Sequence, residues 1–308
     1  MLPIAASTYA PRIDLLFWLM VGISGAIILL VVTLLVWFSF KYRRGTKAKR
    51  GALMTRFTRE VEITWTVATF FTFIFLFWWG AAVLVATVPI PKHAMEIHVV
   101  AKQWMWKIEH PDGQREIDAL HLPLGVPVKL VMTSQDVIHS FFVPAFRVKQ
   151  DVLPGRYTEL NFTPDKVGTF PLYCAEYCGT DHSRMTGGVV VMAPGAYARW
   201  SQGQPQGDSL AAQGKVLFTR LGCAGCHVNS ETVHAPDLFG IYGKPQPMTG
   251  GGFRIADEGY LRDSIMLPRQ DVVAGYAPIM PSYQGVASEE DVVKLIAYLK
   301  QPGGSTPR

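Results

Sequence analysis

Residues 174–185 read CAEYCGTDHSRM. One short loop gathers two thiols, an imidazole and a thioether: Cys174, Cys178, His182 and Met185. Thiolate, imidazole and thioether together select copper over magnesium or calcium. Zinc uses methionine poorly. A plain Cys174–Cys178 crosslink is the structural alternative in an oxidising compartment. A single blue-copper site needs one cysteine, two histidines and a weak axial methionine. Two cysteines are enough to bridge two coppers. A further imidazole is then required, and His139 in DVIHSFFVP, flanked by apolar residues at a strand end, is the best placed. His93, His98, His110 and His121 are read as solvated or core histidines.

The surrounding sequence has a β texture. MEIHVVAKQWMWKIE alternates and is rich in β-branched and aromatic residues. PVKLVMT, RYTELNFT and GGVVVMA are further short strands, separated by turn signals such as HPDGQ, LPGR and TPDKVG. Strands at this spacing predict a sandwich or barrel over residues 92–200. SQGQPQGDS follows, and residues 201–207 are read as a linker. Residues 208–308 then turn helical, with LAAQGKVLFTRLG, DEGYLRDSIML and SEEDVVKLIAYLK as three helices. Ser288 and Asp291 form a capping box for the last, and Pro302-Gly303 ends it.

Residues 223–227 read CAGCH, the covalent attachment signature of a c-type haem. Cys223 and Cys226 match the spacing of the two haem vinyls, and His227 becomes the proximal ligand. A thioredoxin-like pair would need a βαβ pattern, which is absent, and a zinc site would need more ligands than His234 offers. The sixth ligand should be Met or His. His234, Met248, Met266 and Met280 are the candidates; Met280 in APIMPSY is favoured because Met-Pro holds the thioether on a stiff loop. Met248, in a Gly/Pro-rich loop, is the alternative, and Met266 reads as core filler.

Upstream, Leu15 to Phe40 is 26 residues without a charge, and Ile63 to about residue 90 is likewise uncharged. Each exceeds the roughly 20 apolar residues that a helix needs to cross a bilayer. Residues 1–91 are therefore read as a transmembrane hairpin. Residues 41–60 hold eight Lys/Arg and one acid, +7, while the remaining 21 basic and 23 acidic residues leave −2. The sequence pI of about 9.0 thus reflects one loop, which argues against nucleic acid as a partner. Lys and Arg resist translocation, so this loop should be cytoplasmic, with both termini and everything after about residue 91 exported. No cleavable signal peptide is evident, and the first span is read as an uncleaved anchor.

At this point the chain resembles a known family. CAEYCGTDHSRM, with DVIHSF, DVLPGR, QWMW and EVEITWT, is similar to subunit II of cytochrome c oxidase over about residues 15–195. The CAGCH module resembles the form of that subunit with a fused C-terminal cytochrome c domain. The resemblance implies a membrane-anchored multidomain chain: a two-helix transmembrane hairpin, a cupredoxin-like β-barrel and an all-α, class I-like cytochrome c domain. It implies a dinuclear copper centre, CuA, bridged by Cys174 and Cys178. His139 and Met185 would complete one copper; His182 and the backbone carbonyl of Glu176 would complete the other. The Glu176 side chain is implied as a magnesium ligand at the catalytic subunit. Trp104 is implied as the electron-entry residue, and Glu62 as the mouth of a proton channel. The implied partners are catalytic subunit I, subunit III, membrane lipid and a donor such as cytochrome c. The implied setting is a bacterial-type plasma membrane with both metal domains on its periplasmic side. The alternatives are the CuA subunit of another terminal reductase, such as one for nitrous oxide, and a membrane-anchored copper-delivery protein.

Overall fold

The computed structural model describes residues 3–48, 55–87, 89, 91, 93–203, 209–228 and 235–301. His234, most of the expected linker, part of the basic loop and Pro302-Gly303 lie outside them. Packing divides the chain into two units: Thr8–Pro89, and Met1–Ser7 together with Ile90–Arg308.

The first unit is a pair of helices, α1 (Ala10–Lys41) and α2 (Thr55–Thr87). Each extends beyond its apolar window. α1 starts at Ala10 with a proline in its first turn, where the missing N–H costs nothing. α2 begins before Ile63 because Arg56 and Glu60 pair across one helical turn at 3.2 Å. It stops at Thr87, two residues before Pro89. Neither apolar window buries a residue in protein, so lipid is the solvent that these surfaces suit.

In the second unit, residues 95–192 form ten strands: β1 (Met95–Lys102), β2 (Met105–Glu109), β3 (Arg115–Ile117), β4 (Ala119–Pro123), β5 (Val128–Ser134), β6 (His139–Val143), β7 (Val148–Val152), β8 (Thr158–Phe162), β9 (Gly168–Cys174) and β10 (Thr186–Met192). They make two five-stranded sheets, ordered β3-β2-β1-β5-β8 and β4-β10-β9-β6-β7. Alternation decides which side chains meet between them. Ile97, Val99, Trp106, Leu130 and Met132 face inward from the first sheet; Leu120, Phe141, Leu172, Val189 and Val191 face inward from the second. The N-terminal segment docks on this domain. Ala6 N–H donates to Ala145 O at 2.8 Å, and the Ser7 hydroxyl donates to Phe146 O at 2.8 Å.

The expected linker is partly structured. Helix α3 (Pro194–Gly203) runs through its first three residues. Trp200 supplies the reason: its ring stacks on His121 at 4.5 Å and meets His110 edge-on at 5.4 Å. The C-terminal domain follows, with α4 (Leu210–Arg220), the single turn α5 (Ala224–His227), α6 (Glu258–Met266) and α7 (Glu289–Leu299). A two-stranded hairpin, β11 (Pro245–Pro247) with β12 (Phe253–Ile255), interrupts the helices. α4 crosses α7 at Gly214, where a Cβ would lie 2.0 Å from Lys294 O. The Ser288–Asp291 capping box starts α7 as the sequence predicts.

This domain sits on the outer face of the β3-β2-β1-β5-β8 sheet. Glu290, in the first turn of α7, accepts from Lys107 Nζ at 2.5 Å, and Lys300, just past its end, donates to Glu96 at 2.6 Å. Glu96 opens β1 and Lys107 lies beside its far half, so α7 runs antiparallel to β1. Outward-facing His98, Val100, Val131 and Thr133 are accordingly buried.

Candidate functional site

Strand register brings the loop cysteines to His139. β6 and β9 are antiparallel with Phe141 opposite Cys174, so the start of β6 lies at the end of β9. β10 returns from the same end, directly after Met185. The Cys174 and Cys178 Sγ atoms stand 3.7 Å apart as free thiols. His139 Nδ1 is 3.9 Å from Cys174 Sγ, and His182 Nδ1 is 3.5 Å from Cys178 Sγ. Met185 Sδ is 3.8 Å from Cys178 Sγ, and the Glu176 carbonyl is 3.2 Å from Cys174 Sγ. His139, Cys174, Cys178 and Met185 are buried, whereas the Glu176 side chain is exposed. All six expected ligand positions therefore converge on one sulfur pair, with an imidazole on each side.

Asp136 and Gln103 complete the arrangement. His139 Nε2–H donates to Asp136 Oδ1 at 2.8 Å, which leaves Nδ1 directed at the sulfurs. Asp136 also accepts the Gln103 and Val137 backbone N–H groups, each at 2.7 Å. The Gln103 amide and the Trp104 indole both donate to Cys178 O, at 2.7 and 3.2 Å. Gly179 is required beneath them: its φ is +117°, and a Cβ would lie 2.9 Å from Gln103 Nε2. Asp136 and Gln103 lie in DVIHSF and QWMW, but the sequence alone assigns neither a role in holding the ligands. The signal available was a carboxylate three residues before His139.

The two thiols are inequivalent. Burial opposes ionising Cys174, but hydrogen bonding to His139 and nearby backbone outweighs it, and its pKa falls. Burial and the adjacent Cys174 push Cys178 up. Burial would lower His139, but Cys174 and Asp136 outweigh it and raise it. Two adjacent thiolates are thus unfavourable without a cation between them. Two thiolates, two imidazoles, a thioether and a carbonyl form a soft donor set that fits copper, and the second sulfur exceeds what one blue copper uses.

Three further histidines have structural partners. His110 and His121 share the Glu116 carboxylate, at 2.8 and 2.5 Å, and His98 lies 3.4 Å from Glu96. Trp104 is half-buried against the barrel core. Glu62 lies on α2 with an exposed side chain, and its carbonyl accepts from Thr66 at 2.8 Å.

A second centre lies in the C-terminal domain. Cys223, Cys226 and His227 line a cavity of about 370 Å³ with Tyr260, Ile265, Met280 and Tyr283. That volume lies within the roughly 300–1,000 Å³ usual for cofactor pockets. His227 Nδ1–H donates to Pro236 O at 2.8 Å, which frees Nε2 for a metal. Three bonds fix the Met280 loop: Ser282 Oγ to Met266 O at 2.6 Å, Tyr283 N–H to Ile265 O at 3.2 Å, and Tyr283 OH to Leu221 O at 2.9 Å. Met248 instead packs on the domain core beside Val273 and is not among the cavity residues, and Met266 is buried in that core. An attachment pair, an oriented imidazole and a thioether around one apolar cavity fit a covalent haem.

Comparison with known proteins finds matches to both domains. Residues 114–193 match the family model "Cytochrome C oxidase subunit II, periplasmic domain", and residues 211–302 match "Cytochrome c". The chain is 28% identical over 298 residues to cytochrome c oxidase subunit 2 of Alkalihalophilus pseudofirmus, covering 90% of this chain and 85% of that one. It is 28% identical over 236 residues to alternative cytochrome c oxidase subunit 2 of Bradyrhizobium diazoefficiens, covering 67% and 83%. Among solved structures, the periplasmic domain of subunit II of cytochrome oxidase from Bradyrhizobium japonicum is 30% identical, covers 37% of this chain and 95% of its own, and has a TM-score of 0.36. With a subunit II periplasmic domain after two apolar helices and a cytochrome c domain behind it, this chain belongs to the cytochrome c oxidase subunit II family, in the form that carries a C-terminal cytochrome c domain.

Proposed function

We propose that this chain carries electrons from an external donor, through a covalent haem c and a dinuclear copper centre, to the haem of catalytic subunit I. There oxygen is reduced to water with proton pumping. The observation that carries this reading is the pair of free thiols 3.7 Å apart with an imidazole beside each. Cys174 and Cys178 would bridge two coppers, with His139, His182, Met185 and the Glu176 carbonyl as the remaining ligands. Cys223 and Cys226 would hold the haem, with His227 and Met280 as ligands to its iron. When bound, the coppers supply one-electron redox chemistry with the charge shared between two ions, and the haem supplies a second one-electron couple.

The protein's part is to hold those ligands still. Asp136 fixes the His139 ring by accepting its Nε2–H. Gln103 and Trp104 pin the Cys178 carbonyl from the neighbouring sheet. Burial of the sulfurs keeps water out. Both thiols must lose their protons when metal binds, so loading releases protons. Pro236 orients His227 in the same way that Asp136 orients His139.

The exposed Glu176 carboxylate is available to a hard cation such as magnesium at the subunit I surface. Trp104, bonded to the Cys178 carbonyl, is the entry position for a separate donor, and Glu62 on α2 is the proton-channel position. Subunit III and a donor such as cytochrome c complete the partners. The topology reading is supported by the N-terminal segment: Ala6 and Ser7 bond to the copper domain. Both would then lie on one side of the membrane, as two intervening spans require. The basic loop then lies on the cytoplasmic side and both metal domains on the periplasmic side.

Cys178→Ser in the purified oxidase tests the reading. The visible bands of the copper pair should disappear while the haem c spectrum stays, because the two centres share no residue. Retention of the copper bands would remove the bridging role.

A further inference from the structure

The cytochrome c domain is bonded to the copper domain rather than merely tethered beside it, and its contacts lead to one ligand. Arg262 is 5% exposed. It pairs through two nitrogens with Glu289, and its Nη1 donates to Gly155 O at 2.7 Å on the barrel. Tyr157, from the same barrel loop, packs into the apolar core of the cytochrome c domain. On its other side this loop is held by Ser134, whose N–H donates to Leu153 O at 3.2 Å. Ser134 Oγ donates to Val137 O at 2.6 Å and accepts the Asp136 N–H at 3.2 Å, and Asp136 holds His139. Glu290 reaches the same segment by accepting from Gln135 Nε2 at 3.3 Å.

The haem end of this line is equally direct. α6 carries Arg262, and its Tyr260, Leu261, Ser264 and Ile265 line the haem cavity. One helix therefore faces the haem and grips the barrel. Electronic coupling falls off more slowly along covalent and hydrogen-bonded paths than across gaps. Among the described contacts of the cytochrome c domain, none reaches Trp104, whose indole bonds to Cys178 O.

We propose that the cytochrome c domain addresses the copper site through the Leu153–Tyr157 loop and the Ser134–Asp136 segment, so that the chain's own electron enters on the His139 side and not through Trp104. This deepens the functional reading above and rests on it. The step is a one-electron transfer. The haem iron goes from ferrous to ferric, the copper pair gains that electron, and no bond forms or breaks. An external one-electron reductant then restores the haem.

The test uses the full oxidase with a protease site placed within residues 204–208. After cleavage, the cytochrome c domain should co-elute with the complex on gel filtration. It should separate in the Lys107→Gln/Glu290→Gln variant and in Arg262→Gln. In the uncleaved proteins, flash-initiated electron transfer from haem to copper should slow about tenfold or more in those variants, since small misplacement of reacting groups is costly. Trp104→Phe, which also loses the bond to Cys178 O, should slow transfer from an added external donor more than transfer from the chain's own haem. Should Arg262→Gln fail to hold haem, the Lys107→Gln/Glu290→Gln pair decides. Separation of the cleaved wild-type domain, or a Trp104→Phe variant that slows transfer from the haem as much as transfer from an added donor, overturns the proposal. Co-elution does not depend on copper, so absence of the copper bands would sink the reading of the site while the surface is still judged.

Discussion

Asp136 is the residue on which the proposed copper ligands depend most without being one of them. It accepts from His139, Gln103 and Val137, and a neutral amide cannot serve all three donors as well. Asp136→Asn should lower copper affinity about 10–100-fold, the usual effect of losing a group that orients a metal ligand. Competition with a copper chelator measures this, and the haem spectrum should not change. The ligands themselves were legible because soft donors at close spacing have few other uses. Asp136 was not, because a lone acid ahead of a strand reads as a turn residue until the fold brings Gln103 beside it. In the second candidate centre, the sequence favours Met280 with Met248 as the alternative, and the fold places Met280 at the cavity and Met248 on the core. Met280→Leu should abolish the sulfur-to-iron absorption in the near infrared, and Met248→Leu should retain it.

Among the elements, the α4–α7 crossing leaves least room for change. Gly214→Ala would drive a methyl into the Lys294 carbonyl. Overpacking of this kind costs about 1–3 kcal/mol, so thermal melting followed at the haem band should shift downward, with copper binding intact. The helix boundaries on either side were readable from periodicity and from the Ser288–Asp291 cap. α3 was not: its SQG end has linker composition, and only Trp200 stacking on His121 explains why it stays helical. The short strands β3, β4, β7 and β9 were missed for a related reason. Three to seven residues give too little alternation to distinguish a strand from its turns, and pairing with distant partners decides them.

Across the whole molecule, buried charge holds the cytochrome c domain to the barrel. Glu258 bonds Lys300, which also bonds Glu96, and Lys129 lies among Glu96, Glu159 and Glu258. Burial raises the Glu258 pKa, but Lys300 outweighs it and the net shift is downward. Burial lowers the Lys129 pKa, but Glu159 and its neighbours outweigh it and the net shift is upward. A carboxylate with a depressed pKa contributes fully above its unfolded value of about 4.3 and loses that contribution as pH falls toward the folded one. A lysine with a raised pKa contributes fully below about 10.4 and loses it as pH climbs through the folded value. Docking should therefore be constant near neutrality and weaken at both extremes, as co-elution of the cleaved domain at different pH would record. Moderate salt should weaken docking only in part, because Glu258 is buried whereas Glu96 and Glu159 still face solvent ions. A tether was legible in the sequence; the docked surface was not, since its outward residues on β1 and β5 look like ordinary solvent-facing positions.

The account stands on two thiolates bridging two coppers. Metal analysis of the purified chain, paired with its electron paramagnetic resonance spectrum, tests this most directly. Two coppers per chain, with one unpaired electron shared equally between both nuclei, is the predicted result. A single copper with an unshared signal, zinc in its place, or a metal-free Cys174–Cys178 crosslink would contradict it.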